Sequence, residues 1–201
     1  VNFHCTRLPY DAGGGGHSWK IMRQDRIDSQ LVHLVDEGID TGDLLDSETS
    51  IIPHQYQLPL EIENFRIKNF LKFYKKFLEN LLKGKKFLKK KQNNFIGRYN
   101  PRLNTQINGW INWNYDSVNL VNFIKAFDDP YIGSSTMINN QVVRLKKVQL
   151  HGGDSPNHPF MTGLISRHDK KWLIVSTRDQ NNIIVEEVLN KKNENIIKNL
   201  N

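Results

Sequence analysis

At 201 residues and 38% hydrophobic content, the chain is long enough for one domain or two small ones with a core. No apolar run is long enough to span a membrane, no signal-peptide pattern is present, and a single cysteine, Cys5, excludes an intrachain disulfide, so a cytoplasmic protein is expected. The net charge of +7 is uneven: residues 1–60 carry nine acids and four bases, and residues 65–102 carry thirteen bases and one acid.

Val1 to His4 reads as the end of a buried strand. Asn2 and His4 stand two apart, so a strand puts both on one face. An amide and an imidazole at a strand end can hold a developing oxyanion and move a proton. Cys5 falls on the opposite face and is expected to be a structural cysteine. Residues 7–16 form a loop ending in four glycines, which permit close backbone approach. The run reads equally as a flexible loop or as a cradle for a substrate. A helix follows over 18–24, then a strand over 30–35, apolar at 31, 32, 34 and 35. His33 lies on that strand and reads equally as a packed histidine or as a support for the loop behind it.

That loop, Asp36 to Asp43, holds four acids and two glycines in eight positions. Its short spacing and the lack of a late Glu argue against a calcium loop. It supplies a carboxylate, Asp40. Residues 44–52 read as a further strand. Residues 61–82 form the clearest helix, with an apolar stripe at 62, 65, 67, 70, 71, 74, 77, 78 and 81. Residues 85–108 read as a basic linker. Its lysines read equally as a polyanion site or as a solvated surface. Asp116 or Ser117 caps a second helix that closes before Pro130. Five short strands follow, over 135–139, 141–150, 161–166, 172–177 and 183–189, with a turn at Asn139-Asn140. Residues 191–201 are expected to be a frayed tail.

Asn2-Phe3-His4, Leu8-Pro9 and the Asp36–Asp43 loop, in that order, resemble the enzymes that carry a formyl group from N10-formyltetrahydrofolate to an amine. The segments 99–103, 109–113 and 123–131 resemble the start of that family's C-terminal domain. The resemblance implies an α/β fold: the C-terminal half of a doubly wound formyltransferase domain over 1–84, then an oligonucleotide/oligosaccharide-type (OB-like) β-barrel over 109–190. It implies Asn2, His4 and Asp40 as catalytic residues. Leu8, Pro9, Gly13, Gly14, Trp19, His33, Asp36 and Gly38 are the candidate substrate- and donor-binding positions. The formyl donor is the only cofactor implied. No ligand spacing among His4, His17, His33 and the acids argues for a metal.

In the family the first half of the sheet precedes the Asn-x-His strand. The sequence therefore reads as a fragment or the product of a truncated gene, lacking much of the folate pocket and not expected to be active alone. Many members continue His-Pro-Ser-Leu-Leu-Pro, where this chain has His4-Cys5-Thr6-Arg7-Leu8-Pro9. Members acting on initiator tRNA follow with an Arg-Gly-Ala-Ala-Pro-like segment, replaced here by residues 10–19. The expected acceptor is therefore the amine of a nucleotide-linked amino sugar. Aminoacyl-tRNA is the alternative, and a nucleic-acid-binding remnant without activity is the reading from another class. No membrane partner is expected, and a homodimer is compatible with all three.

Overall fold

The structure, a computed structural model, describes residues 1–153 and 157–200, so Asn201, the last residue of the expected tail, lies outside the described residues. Contacts divide the chain into two units: residues 1–20 with 25–102, and residues 21–24 with 103–201. The elements run β1 (Asn2–His4), β2 (Asp11–Gly13), α1 (Gly16–Arg23), β3 (Ile27–His33), β4 (Leu44–Ile51), α2 (Pro59–Leu82), β5 (Arg98–Asn100), α3 (Thr105–Asn108) and α4 (Ser117–Ala126). They continue with β6 (Ser134–Ile138), β7 (Gln141–His151), β8 (Ile165–His168), β9 (Leu173–Ser176) and β10 (Asn182–Leu189). The chain is a mixed α/β protein, as its alternating periodicities require. Among the described residues no helix is long and apolar enough to cross a membrane.

In the first unit β1, β3 and β4 form one sheet in that order, and both pairings are antiparallel. A doubly wound sheet is built from parallel strands, so this part of the sheet departs from the expectation. α2 begins two residues earlier than the periodicity suggests. Pro59 occupies the first helical position, where its missing N–H costs nothing, and the Glu61 carboxylate accepts from the backbone N–H groups of Leu58 (2.9 Å) and Gln57 (2.7 Å). One face of α2 lies on the sheet. Phe73 and Phe77 pack with Val32, and Phe3 meets Phe77 edge-on at 5.4 Å between ring centroids.

The buried face of α2 differs from the apolar stripe in the sequence. Pro59, Ile62, Arg66, Phe73 and Phe77 are buried, whereas Ile67, Leu71 and Leu81 are exposed. The reason is electrostatic. Asp28, on β3, is fully buried, and the Arg66 guanidinium donates to it at 2.9 Å. Gln30 Nε2 donates to the other carboxylate oxygen at 2.8 Å. A buried carboxylate needs a paired cation and satisfied lone pairs, and that need turns Arg66 inward.

Two stretches that read as loop and linker are bound into this unit. β2 pairs in parallel with β5, matching Gly13 to Asn100. Gly13 has φ of +96°, and a Cβ there would sit 2.2 Å from the Asn100 carbonyl oxygen. Further back, Lys90 exchanges both backbone hydrogen bonds with Leu44 at 2.9 Å, and Phe87 stacks on Phe77.

In the second unit α4 is capped by Asp116, whose carboxylate accepts from Asn119 N–H at 2.9 Å. α4 packs on the antiparallel sheet β6-β7-β10-β9-β8. Leu120 and Ile124 of α4 join Val143, Leu145, Ile183 and Val185 in the core. Asn139 and Asn140 both have positive φ, the geometry of a two-residue hairpin turn between β6 and β7. The OB-like expectation is not met as a closed barrel: among the described residues the sheet is open, with β6 and β8 as its two edges and no ladder joining them. β8 is four residues long, and its register on β9 shifts between Ile165 and Arg167. The segment expected to fray contributes Ile197, which is buried in the core.

Arg66→Met should leave the Asp28 charge buried without its cation and cost about 3–5 kcal/mol of stability, read as a fall in the urea midpoint. Lys76→Met removes the partner of Glu48 at an exposed pair and should leave the midpoint nearly unchanged.

Candidate active site

The register of β1 on β3 sets Asn2 directly opposite His33 and His4 opposite Leu31. Residues opposite each other in an antiparallel pair share a face. Asn2, His4 and His33 therefore lie on one face of the sheet, while Phe3 and Val32 lie on the face that α2 covers. Asn2 Nδ2 is 3.1 Å from His33 Nε2, and His33 Nδ1 is 2.8 Å from the Leu34 carbonyl oxygen. A carbonyl can only accept, so Nδ1 carries the proton of the neutral ring. Nε2 then presents a lone pair, which accepts from the Asn2 amide. His33 is 3% exposed, so its ring is locked by packing as well as by these bonds.

Asp40 arrives from the loop after β3. It has φ of +57°, and several contacts hold that turn. The Asp36 carboxylate accepts from Gly38 N–H at 3.2 Å and from the Thr41 hydroxyl at 2.7 Å. Gly42 passes so close to the Leu34 carbonyl that a Cβ would stand 1.9 Å from its oxygen. Gln92 Nε2 donates to the carbonyls of Asp40 (2.9 Å) and Gly42 (2.7 Å). The result places Asp40 Oδ1 3.6 Å from His33 Nε2 and 3.8 Å from His4 Nδ1. The His4 Nε2 atom is buried and has no hydrogen-bond partner among the described residues.

Burial lowers the pKa of His4 and outweighs the upward pull of Asp40; His33 and Arg66 add to the lowering. The balance favours the neutral His4 imidazole at rest, despite the nearby Asp40 carboxylate. Cys5 is half-buried, and burial raises its thiol pKa, which disfavours the thiolate and a nucleophilic role.

Four of the candidate residues are therefore brought together: Asn2, His4, His33 and Asp40. Asp36 and Gly38 shape the exposed turn that carries Asp40. Leu8 is buried and precedes Pro9 in a cis peptide. Gly13, Gly14 and Trp19 gather around residues 100–102. Gly14 N–H donates to the Asn100 carbonyl at 2.8 Å, and the Trp19 indole donates to the Pro101 carbonyl at 2.9 Å.

Sequence reasoning missed Gln92, which pins the Asp40 turn from 52 residues away. Its only signal is an amide after a run of lysines, with two asparagines behind it. It also missed His17, which contacts Glu63 and Arg66 on α2. Burial and the nearby guanidinium lower the His17 pKa against the pull of Glu63.

Residues 104–201 match the formyl transferase C-terminal domain family. Methionyl-tRNA formyltransferase of Clostridium perfringens is 25% identical over 178 residues, covering 88% of this chain and 55% of that protein. The chain thus spans about half the length of the curated relatives it matches. Among solved structures, the sugar 3N-formyl transferase WlaRD, crystallised in the presence of dTDP and 5-N-formyl-THF, matches with a TM-score of 0.70 and 23% identity, over 94% of this chain and 65% of that one. The N-formyltransferase from Helicobacter canadensis, in complex with folinic acid and dTDP-3-aminofucose, matches with a TM-score of 0.70 and 21% identity, over 92% and 65%.

An NMR titration should place the His4 pKa below the ordinary 6.5. Asp40→Asn should lower it further, because the one charge that raises it is gone; a rise would contradict this electrostatic reading. His4 and His17 both bind protons more weakly folded than unfolded. Their contribution to stability is therefore complete above pH 6.5 and declines as pH falls below it, so His4→Gln and His17→Gln should each flatten that decline in urea melts.

Proposed function

We propose that the chain, whose residues 104–201 match the formyl transferase C-terminal domain family, carries a formyl group from N10-formyltetrahydrofolate to a primary amine, that of a nucleotide-linked amino sugar. The observation that carries this reading is the convergence of Asn2, His4, His33 and Asp40 on one sheet face. An amide, two imidazoles and a carboxylate suit acyl transfer without a covalent intermediate or a metal.

The neutral amine attacks the formyl carbon and gives a tetrahedral intermediate with a negative oxygen and a positive nitrogen. Asn2 donates to that oxygen; its amide is oriented by the bond to His33. His4 is neutral at rest and its Nε2 is unpartnered, so it accepts the proton of the attacking nitrogen. Asp40 then stabilises the imidazolium. His4 returns the proton to N10 as the C–N10 bond breaks, which leaves the formamide and tetrahydrofolate. This order gives the lowered pKa of His4 a use: the group is a base before attack and an acid after it.

The acceptor class is supported by the replacement of the Arg-Gly-Ala-Ala-Pro-like segment at residues 10–19 and by the two sugar-related structures above. The second reading is an aminoacyl-tRNA acceptor. It is supported by the curated relatives and by the exposed lysines at 83, 85, 86, 89, 90 and 91.

The test is formyl transfer by the full-length protein containing this span, offered dTDP-amino sugars and charged initiator tRNA in parallel. The proposal expects transfer to the sugar amine, and Asp40→Asn should lower kcat on the order of a hundredfold to ten-thousandfold without changing the melting temperature much. Transfer to tRNA alone would overturn the acceptor assignment. In that case, changing Lys85, Lys86, Lys89, Lys90 and Lys91 to Gln should raise KM and flatten its salt dependence, whereas for a sugar acceptor KM stays within about threefold.

A further inference from the structure

The cluster that faces the proposed reaction also forms a set of metal ligands. One ligand atom from each of His4, His33 and Asp40 lies within 4.8 Å of the other two. Asp40 Oδ1 stands 3.6 Å from the His33 nitrogen and 3.8 Å from the His4 nitrogen. Two imidazoles and one carboxylate, with a fourth position left open, are a donor set that zinc accepts. Metal–ligand bonds of about 2.0–2.2 Å would hold tetrahedral donors roughly 3.3–3.5 Å apart. Asp40 therefore needs to move only a few tenths of an ångström, roughly, toward each imidazole, and the His4 ring closes the rest.

Two further features suit an ion. His33 donates Nδ1–H to the Leu34 carbonyl, which fixes the tautomer and aims the Nε2 lone pair into the cluster. Metal-ligating histidines ordinarily carry such a second bond. Gln92 clamps the Asp40 turn through the carbonyls of Asp40 and Gly42. The three ligands come from two strands and one pinned loop of the same unit, so little needs ordering when an ion arrives.

We infer that this cluster binds one divalent transition-metal ion, zinc foremost, through His4, His33 and Asp40. On binding, the His33 lone pair goes to the metal and Asn2 loses its acceptor. The ion is not a cofactor in this account. It occupies the carboxylate and the imidazole that the transfer needs, so zinc acts as a reversible inhibitor. That consequence rests on the formyl-transfer reading, whereas the binding itself does not.

The experiment titrates zinc into the 201-residue chain at pH 7.5 against a chromophoric chelator, with neither folate nor amine present. One equivalent should bind with a Kd of about 10 μM or tighter, and His33→Gln and Asp40→Asn should each weaken it by at least about tenfold. Asp40→Asn preserves shape and suits the left-handed backbone, so it serves if His33→Gln fails to fold. His54→Gln and His168→Gln, at exposed histidines, should leave the affinity unchanged. Cobalt in place of zinc should give the intense visible bands of a four-coordinate site. A Kd weaker than about 100 μM would overturn the inference, as would tight binding indifferent to both cluster variants, which places the ion on surface histidines. A negative result leaves the formyl-transfer proposal standing, because no catalytic step uses the ion. Failed transfer in the full-length protein leaves the zinc result standing in turn.

Discussion

The pairing of β1 with β3 is the constraint from which the rest of the first unit follows. The side-chain period of a strand is two, so one register decides both faces at once. With Asn2 opposite His33, Asn2 and His4 face the cluster, and Phe3 turns to the helix side, where it meets Phe70, Tyr74 and Phe77. A slip of one residue would bury the amide and imidazole under α2 and expose the phenylalanine. The aromatic packing of Phe3 is thus what holds the chemistry of its two neighbours in place. Phe3 is partly buried, so its packing contributes part of the about 1.5–3 kcal/mol that full burial of a phenylalanine is worth.

Burial of β3 on both faces explains the partners of its polar side chains. β3 is buried along nearly its whole length, so its polar residues have no water to meet. Asp28 finds Arg66 and Gln30, and His33 finds Leu34 and Asn2. Arg66 also reaches His17, which itself meets Glu63. One guanidinium on α2 therefore ties the helix to β3 and to α1. Its positive charge is also among the causes that lower the His4 pKa. Structure and electrostatics are coupled through that residue.

What could be read in the sequence was local. The Asn2–His4 spacing, the glycine-bracketed turn around Asp40, the Asp116 cap and the Asn139-Asn140 turn each depend on residues a few positions apart, and each has the form the residues imply. What could not be read was long-range. Nothing near Gln92 marks it as the clamp on a turn 50 residues earlier. The parallel contact of Gly13 with Asn100 makes the tetraglycine run a packing element at that point, and composition alone suggests only freedom. The apolar stripe of α2 misled because a buried aspartate outweighed hydrophobic periodicity and drew Arg66 inward.

The central claim is that the cross-strand register fixes His33 with its Nε2 lone pair facing Asn2 and Asp40. Long-range nitrogen–proton NMR on the imidazoles tests it directly, because the two ring nitrogens of neutral histidine have well-separated shifts. The account predicts that the neutral His33 ring carries its proton on Nδ1. It further predicts that Asn2→Ala leaves this tautomer in place, since the Leu34 carbonyl sets it. A neutral His33 ring that carries its proton on Nε2 would contradict the account.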